Sequence, residues 1–450
     1  MKITLDSDNT FITNKGKLDV NRALIVAGVK AAVCFKQPDA ATKQAITPKM
    51  IRENESESQL ILRGLNTVLS DHTTPSEQFS VGLNIVGIPK ILCMVLNNEK
   101  FLAACERSLR YTSVEENNSI TKSEFQLYTK WKSIMTDLLM RDYGSYFLKA
   151  SSGNEKKAYQ AAAKIAQENA RNFITVFMPT TLTQTLPFAQ INKVATYMQK
   201  LIDTPNSSQI KELLKPYITD FIQQLKSMDV LLTNNRVKQI VGEYNIVDIA
   251  LEKDKPNFIN IPDNDELFYK NNKNISLSLF AEDNKFSGIN YPNQYGPSIN
   301  YNFNPSFSSL AQYNRHRTSE FEIMIPEHFI AYIPPFIQPY PDLVAQYISD
   351  IKTVQNLFPQ GQIIDANLNS SLSSILNFIG KERACINAQF ETFDIFANQI
   401  TEDIYNGLLS SQQYASLAAE VKPYVKKLRC QTGDYCCPSN CGRPTMDRKY

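Results

Sequence analysis

The sequence predicts an α/β protein, because segments with helical periodicity alternate along the chain with short segments of strand-like pattern. The run KKAYQAAAKIAQENAR (156–171) is rich in alanine and repeats its apolar residues at helical spacing. The run FSVGLNIVG (79–87) instead alternates apolar residues with others. With 450 residues, the chain is long enough for two or three compact units, each with its own core.

The remaining predicted elements follow the same two patterns. The segment 209–228 carries one apolar stripe, 341–358 is amphipathic, and 371–409 is a long helical tract. The run FEIMI (321–325) predicts a second strand. The segment 255–305 is rich in Asn, Asp, Lys and Pro and predicts a long irregular connection. The stripe of the helix at 209–228 consists of Leu213, Leu214, Ile218, Phe221, Ile222 and Leu225.

Charge and hydropathy limit the classes of function. The 47 Lys and Arg residues nearly balance 45 Asp and Glu, and the net charge of +2 is too small to attract nucleic acid or an anionic membrane non-specifically. The longest apolar stretches are shorter than the roughly 20 residues of a membrane-spanning helix, and the first fifteen residues lack an apolar signal core. We therefore expect a cytoplasmic protein with no membrane partner and no obligate nucleic-acid partner.

Four of the eight cysteines lie close together, as Cys430, Cys436, Cys437 and Cys441. Their spacing is not that of a zinc ribbon, and two interpretations stay open: a small metal-binding knuckle or a solvent-exposed tail. The chain has only three histidines, so we do not expect a His-rich catalytic metal site.

Two polar motifs in the first half could carry chemistry. HTTPSE (72–77) places His72 in a turn before a strand, although such residues are also typical of a helix N-terminus. ERSLRY (106–111) combines a carboxylate, a hydroxyl, an arginine and a phenol within six residues. Arginine together with hydroxyl and backbone donors is the usual way to hold a phosphate. The alternative is a solvated helix on which Glu106 and Arg110 form an ion pair.

Three motifs further along the chain contain arginine. NRHRT (314–318) is the densest cationic cluster, and its arginines flank a histidine in a way that suits a diphosphate or a cofactor ring. A basic surface strand or a nucleic-acid contact is the alternative interpretation. Arg171 ends the helix that contains ENAR (168–171), and Arg383 precedes AQFE (388–391) in the last helical tract. Either arginine could also be a surface residue.

The order of these motifs resembles the flavin-dependent thymidylate synthases. HTTPSE is similar to the family's His-x-x-Pro-x-Glu turn, and ERSLRY is similar to the ExSxRY end of its main motif. The RHR that begins this motif is replaced by NEK (98–100). Arg171 matches a nucleotide-contacting arginine of the family, and AQIN (189–192) keeps only Asn192 of its Arg-x-x-Asn motif. The residues that match ExSxRY are Glu106, Ser108, Arg110 and Tyr111.

The second half resembles the same family again. SSLAQYNRHRT (308–318) contains the RHR that the first half lacks, and Gln312 matches the glutamine that precedes it. The run that follows, FEIMIPEHF, has no ExSxRY. The stretch 358–391 is similar to the closing segment of the family, with Arg383 and AQxE in place. We therefore predict family-like halves at 1–240 and 241–425 and a Cys-rich tail at 426–450. The first half keeps the ExSxRY motif that the second lacks, and the second keeps the RHR motif that the first lacks.

The resemblance implies that each half folds as a twisted, mainly antiparallel sheet packed against long helices. It also implies reductive methylation of dUMP to dTMP with FAD, NADPH and methylenetetrahydrofolate, the folate donor of the methylene group. Members of the family are homotetramers with active sites at subunit junctions. A tandem chain is therefore expected to form a homodimer that imitates a tetramer.

The resemblance assigns roles to individual residues. Arg383 is expected to face the pyrimidine and to stabilise charge as the base is activated, with Arg171 and Glu106 as the other catalytic residues. Arg171 would assist the phosphate, and Glu106 would orient the sugar. The residues expected to bind dUMP are Ser108, Leu109, Arg110, Tyr111 and Gln312. Those expected to hold FAD are His72, Arg315, His316, Arg317 and Asn192.

Two other functions stay open at this point. The same scaffold could act as a dUMP hydroxymethylase if the reaction stopped before the final reduction. The loss of RHR at 98–100 and the alanine at the start of AQIN also leave room for a catalytically silent protein that binds nucleotides or RNA.

Overall fold

The computed structural model describes residues 1–8, 10–37, 46–69, 74–98, 102–108, 112, 114, 120–203, 209–231, 298–316, 318–410 and 415–432. They form two compact units, one from Met1–Arg107 and Pro179–Asn260 and the other from Ser108–Met178 and Ile261–Tyr450. This division differs from the predicted boundary after residue 240, because Ser108–Met178 packs with the C-terminal segment. The assignment of two family-like halves stays a prediction.

The described elements are a mixture of helices and antiparallel strands, which confirms the general α/β class. The strands are β1 (Lys2–Leu5), β2 (Ser80–Pro89), β3 (Ala103–Glu106), β4 (Pro179–Pro187), β5 (Ser298–Phe303), β6 (Ser319–Met324) and β7 (Asp365–Ser371). The first helices are α1 (Val20–Phe35), α2 (Pro48–Asn54), α3 (Glu57–Leu69), α4 (Lys90–Asn97), α5 (Lys122–Ala150), α6 (Glu155–Ala170), α7 (Phe188–Asp203) and α8 (Gln209–Ser227).

Among the described residues, five further helices belong to the second unit: α9 (Phe307–Tyr313), α10 (Pro341–Lys352), α11, α12 and α13 (Ala415–Val421). Helices α11 and α12 each contain a π-helical stretch. Helix α11 comprises Leu372–Ser374, the π-helix Ile375–Ile379 and Gly380–Arg383. Helix α12 comprises Phe390–Asp394, the π-helix Ile395–Ile400 and Thr401–Ser410.

The sheet of the first unit has the strand order β1-β2-β4-β3, and every neighbouring pair is antiparallel. Strand β2 pairs along its whole length with β4, with a shift of register between Val86 and Ile88. Gly87 lies at this bulge with φ +78°, a left-handed conformation that glycine adopts without steric cost. The strand predicted at 79–87 is therefore confirmed as β2.

Helices α1 and α3 of the first unit approach each other closely at two glycines. A Cβ atom on Gly28 would lie 1.9 Å from the carbonyl oxygen of Leu60, and one on Gly64 would lie 2.1 Å from that of Leu24. A side chain at either position would overlap the backbone of the facing helix. The contact between the two helices therefore depends on the absence of these side chains.

The second unit has a core in which α5, α6 and α10 pack around Trp131. The Trp131 ring stacks on Phe173 at a centroid distance of 5.8 Å and meets the edge of Tyr347 at 5.0 Å. The indole Nε1 of Trp131 donates to Asp350 at 2.7 Å, and Lys130 pairs with the same carboxylate oxygen at 2.6 Å. A sheet of order β5-β7-β6, again antiparallel, belongs to the same unit and confirms the strand predicted at 321–325 as β6.

Most predicted helices are confirmed, with three differences. The tract 371–409 is broken at 384–389, between α11 and α12, and the helix predicted at 341–358 ends at Lys352 before a short 3-10 turn. Leu213 of the predicted apolar stripe is 43% exposed, because it lies about 100° around α8 from Leu214. Most of the irregular segment predicted at 255–305 lies outside the described residues, and residues 298–303 form β5. Among the described helices, none combines the length and apolar character needed to cross a membrane.

Candidate functional site

Buried polar side chains join α9 to the start of α12 in the second unit. We call this group the α9–α12 cluster; its members are Arg171, Ser306, Ser308, Gln312, Gln389 and Glu391, all buried. Buried polar groups are costly unless they find hydrogen-bond partners, so a group of this size restricts how the two helices pack.

Glu391 connects the N-terminal ends of the two helices. It lies in the first turn of α12, and Ser306 is the N-cap residue of α9. The backbone N–H and the hydroxyl of Ser306 each donate to one oxygen of the Glu391 carboxylate at 2.6 Å. Burial raises the pKa of Glu391 to about 7, although the bonds from Ser306 and the charge of Arg171 act in the opposite direction.

Gln389 connects three members of the cluster. Its Oε1 accepts hydrogen bonds from Arg171 Nη2 at 2.5 Å and from Gln312 Nε2. Its Nε2 donates to Ser308 Oγ at 3.1 Å, and Ser308 Oγ lies 2.9 Å from Ser306 Oγ. The Arg171 guanidinium is therefore linked to the Glu391 carboxylate through side chains that are themselves bonded.

Arg383 and His316 form a second buried pair on the other side of Gln312. Arg383 Nε donates to His316 Nε2 at 2.9 Å, and Arg383 Nη2 donates to the carbonyl oxygen of Gln312 at 2.9 Å and to Glu382 at 3.1 Å. Gln312 therefore contacts Gln389 through its side chain and Arg383 through its backbone.

The hydrogen bond from Arg383 determines the form of the His316 ring. Because an N–H donor points at Nε2, this nitrogen must be unprotonated, and the neutral ring then carries its proton on Nδ1. Burial, and after it the charges of Arg383 and Arg315, lower the pKa of His316 well below its ordinary value of 6.5. His316 is therefore neutral at physiological pH.

The position of Arg171 is set by the core of its unit. Arg171 starts the 3-10 turn Arg171–Phe173 after α6, and Phe173 stacks on Trp131. Two residues further on, the backbone N–H of Thr175 donates to the buried carboxylate of Glu124 at 2.7 Å. Glu124 also forms the capping box at the start of α5 with Thr121. The turn that carries Arg171 is thus attached to the start of the longest helix among the described elements.

The α9–α12 cluster and the Arg383–His316 pair place two guanidinium groups in the interior of the second unit. Arg171 and Arg383 bring two guanidinium groups that are each only 6% exposed. Among the described residues, Gln312 Oε1 is buried and has no hydrogen-bond partner. A buried acceptor suits an N–H donor of a ligand, and guanidinium groups suit its carbonyl or phosphate oxygens. A uracil nucleotide and a flavin nucleotide each offer an imide N–H, carbonyl oxygens and phosphate, so these residue types suit both.

Within the second unit, the structure brings four predicted site residues into one hydrogen-bonded group: Arg171, Gln312, His316 and Arg383. A chain of hydrogen bonds runs from Arg171 through Gln389 and Gln312 to Arg383 and His316. Arg315 lies beside them and is exposed. The predicted residues His72, Leu109, Arg110, Tyr111 and Arg317 lie outside the described residues.

Three predicted site residues have other surroundings. Glu106, at the end of β3 in the first unit, pairs with Lys90 at 2.5 Å and accepts from Asn97 at 3.2 Å. Asn192, on α7, donates to the carbonyl oxygens of Phe188 and Val230. Ser108 is partly buried, and its carbonyl oxygen accepts from the backbone and the hydroxyl of Thr112. Their predicted roles in substrate and cofactor binding stay predictions.

Four cluster residues are not among the predicted site residues: Ser306, Ser308, Gln389 and Glu391. A signal for two of them was present in the motif AQFE (388–391), which includes Gln389 and Glu391. Ser306 and Ser308 could be found only from the start of α9, where Ser306 has the residue type of an N-cap. Their partners are about 80 residues away in sequence, and no local sequence pattern reveals a contact over such a separation.

The predicted Cys-rich tail overlaps the described residues only at its start. Cys430 is described and exposed, whereas Cys436, Cys437 and Cys441 lie outside the described residues. Within the part of the chain that the structure describes, no three His, Cys, Asp or Glu side chains come together as a metal site.

Comparison of the sequence with protein-family models finds no match, and comparison with curated proteins finds none either.

Proposed function

We propose that the protein is an FAD-dependent thymidylate synthase, which converts dUMP to dTMP with methylenetetrahydrofolate and NADPH. One observation carries this proposal. Arg171, from the first of the two family-like halves, shares a hydrogen-bond network with Gln312, His316 and Arg383 from the second. The resemblance to the flavin-dependent thymidylate synthases assigns the same four residues to one reaction.

The chain's own residues have distinct roles in this proposal. Arg171 binds the phosphate of dUMP through charge-assisted hydrogen bonds. Arg383 stabilises negative charge that develops on the pyrimidine, and the neutral His316 helps to orient the flavin. Gln312 accepts a hydrogen bond from an imide N–H through its buried Oε1. Bound FAD would supply the redox chemistry of the reduction, which no side chain can perform.

The site is proposed to be composite. Neither half contains the complete set of residues, since RHR is found only at 315–317 and SxRY only at 108–111. We propose that the chain forms a homodimer that imitates the family tetramer. A cut after residue 240 would separate Ser108–Met178 from the rest of its unit, so variants of the whole chain test this proposal better than separated halves.

The purified full-length protein tests the proposed function directly. We expect the absorbance bands of oxidised flavin, bleaching of these bands by NADPH without oxygen, and formation of dTMP after addition of dUMP and methylenetetrahydrofolate. A product heavier than dTMP by one oxygen atom would instead identify a hydroxymethylase. A folded protein that binds dUMP but neither FAD nor the folate would identify a catalytically silent binding protein.

Two variants and a matched control test the residue roles. Arg171→Ala should raise the KM for dUMP about tenfold or more, because a phosphate contact far from the reacting carbon mainly affects binding. Arg383→Ala should lower kcat. Arg141→Ala is the control, since Arg141 lies in the same unit but is exposed and pairs with Asp142 at 2.8 Å. Equal kinetics for all three variants would refute the assigned roles.

A further inference from the structure

The chain beyond α13 returns to the loop that joins α11 to α12. We call residues 425–431 the C-terminal strap. The backbone N–H of Arg429 donates to the carbonyl oxygen of Ala384 at 2.8 Å, directly after Arg383. The backbone N–H of Lys426 donates to Ala397 on α12 at 3.1 Å. The strap therefore crosses from α12 to the start of the loop 384–389.

Leu428 anchors the middle of the strap. It is 1% exposed and packs in one apolar group with two residues of the loop, Ile386 and Ala388, and with Phe393 and Ala397 of α12. Within the loop, the backbone N–H of Ala388 donates to the carbonyl oxygen of Cys385 at 2.9 Å. Leu428 adds apolar contact to two residues of this loop from a distant part of the chain.

Side-chain contacts hold the strap itself in place. Lys426 pairs with Glu402 of α12 at 2.8 Å. The Arg429 guanidinium lies over the ring of Tyr424 at 5.2 Å and donates to Thr432 Oγ1 at 3.0 Å. The strap is therefore attached on both sides of Leu428.

Both ends of the loop carry residues that contact α9. Arg383, just before the loop, donates to the carbonyl oxygen of Gln312 and to His316. Gln389, its last residue, bonds to Gln312, Ser308 and Arg171. A shift of this loop would therefore displace the Arg383 guanidinium and would take away the Gln389 acceptor of Arg171.

We propose that Leu428 is a positioning residue for this site: through the loop 384–389 it fixes Arg383 and Gln389 against α9. The proposal rests on the proposed function for its effect on activity, but not for its effect on the loop. It also gives a role to the start of the segment that the sequence assigns to the tail. The strap belongs to the second unit and begins at residue 425, where the second family-like half is predicted to end.

The test compares Leu428→Ala with Leu408→Ala in the full-length protein. Leu408 is also buried, on α12, but does not belong to the apolar group around Leu428. Leu428→Ala should raise the KM for dUMP roughly tenfold or more, because a displaced Gln389 no longer holds Arg171 in place and a misplaced binding group is costly even when it is present. Leu408→Ala should leave this KM within twofold of wild type. A loss of folded protein alone would lower the apparent kcat and leave the KM unchanged.

Hydrogen exchange provides a readout that does not depend on activity. Amides of residues 384–389 should exchange about tenfold faster in Leu428→Ala than in Leu408→Ala. Leu428→Met, which conserves volume, should restore wild-type exchange and KM. If Leu428→Ala does not fold, Leu428→Val is the milder variant, and its effect should have the same direction.

The outcomes separate the two proposals. Equal exchange of the loop in the Leu428 and Leu408 variants would overturn the positioning role, whatever the activity. An active wild-type protein whose KM for dUMP is the same in both variants would overturn it as well. The proposed function alone would be overturned if the wild-type protein makes no dTMP while the amides of residues 384–389 still exchange faster in Leu428→Ala than in Leu408→Ala.

Discussion

Arg383 donates a hydrogen bond from Nε to Nε2 of His316 at 2.9 Å, and both residues are buried. The ring nitrogen that accepts this hydrogen bond uses its lone pair for it and therefore carries no proton. The pair therefore places one permanent positive charge beside one neutral ring, and it determines which ring nitrogen carries the proton. The position of the proton on His316 follows from a residue 67 positions away in sequence.

The first prediction concerns the protonation of His316. In protein with ¹⁵N-labelled histidine, we expect NMR signals of the neutral Nδ1–H form for His316 at pH 6.5, where an ordinary histidine is half protonated. His316→Gln identifies the signal by its disappearance. The pKa of His316 is lower in the folded protein than in the unfolded chain. The contribution of His316 to the free energy of unfolding therefore falls as pH falls below about 6.5. A His316 signal that titrates near pH 6.5 would contradict the hydrogen bond from Arg383.

The second prediction concerns the buried carboxylate of Glu391. Its pKa of about 7 lies above the ordinary value of 4.5, so the folded state retains a proton that the unfolded chain loses. The contribution of Glu391 to the free energy of unfolding therefore falls as pH rises from 4.5 to 7, by up to about 3 kcal/mol. Glu391→Gln should remove this dependence. Its free energy of unfolding, compared with that of wild type at the same pH, should therefore be higher at pH 8 than at pH 4.5.

Urea unfolding at several pH values measures the effect of Glu391. The fluorescence of Trp131, the single tryptophan of the chain, reports on the second unit. Glu327→Gln is the control, because Glu327 is exposed in the same unit. Parallel pH profiles for wild type and Glu391→Gln would show that the carboxyl group titrates normally.

The third prediction concerns Asp350 in the core of the second unit. Asp350→Ala removes the acceptor of the buried Trp131 Nε1–H and the partner of Lys130. A buried donor without an acceptor costs about 1–3 kcal/mol, and we expect this loss of unfolding free energy. Asp137→Ala, at an exposed position of α5, should change the stability by less than about 0.5 kcal/mol. Circular dichroism is the suitable probe, since the variant itself alters Trp131 fluorescence.

The fourth prediction concerns the close contact between α1 and α3. Gly28→Ala would place a methyl group 1.9 Å from the carbonyl oxygen of Leu60, so the helices must separate. We expect a loss of about 1–3 kcal/mol or more, measured by thermal unfolding. Gly407→Ala is the control, because a Cβ atom on this helical glycine meets nothing within 4 Å. It should be neutral or stabilising by up to about 1 kcal/mol. Equal effects of the two changes would contradict the contact.

The sequence by itself determined most of the local structure. The periodicity of 156–171 and 209–228 predicted α6 and α8, and alternation at 79–87 predicted β2. These predictions succeed because helix and strand each impose a repeat on neighbouring residues, which a short window of sequence contains. The motifs also pointed to Arg171, Gln312, His316 and Arg383 as members of one site.

Only the tertiary structure decided how these residues meet. The loop 384–389, whose last residue Gln389 bonds to α9, packs against Leu428, some 40 residues later in the chain. The Glu391 carboxylate is held by Ser306, 85 residues earlier, and the grouping of Ser108–Met178 with the C-terminal segment crosses the predicted domain boundary. Burial, the pKa of a carboxyl group and the tautomer of a histidine depend on what lies nearby in space, and a pattern of neighbours along the chain does not contain that information.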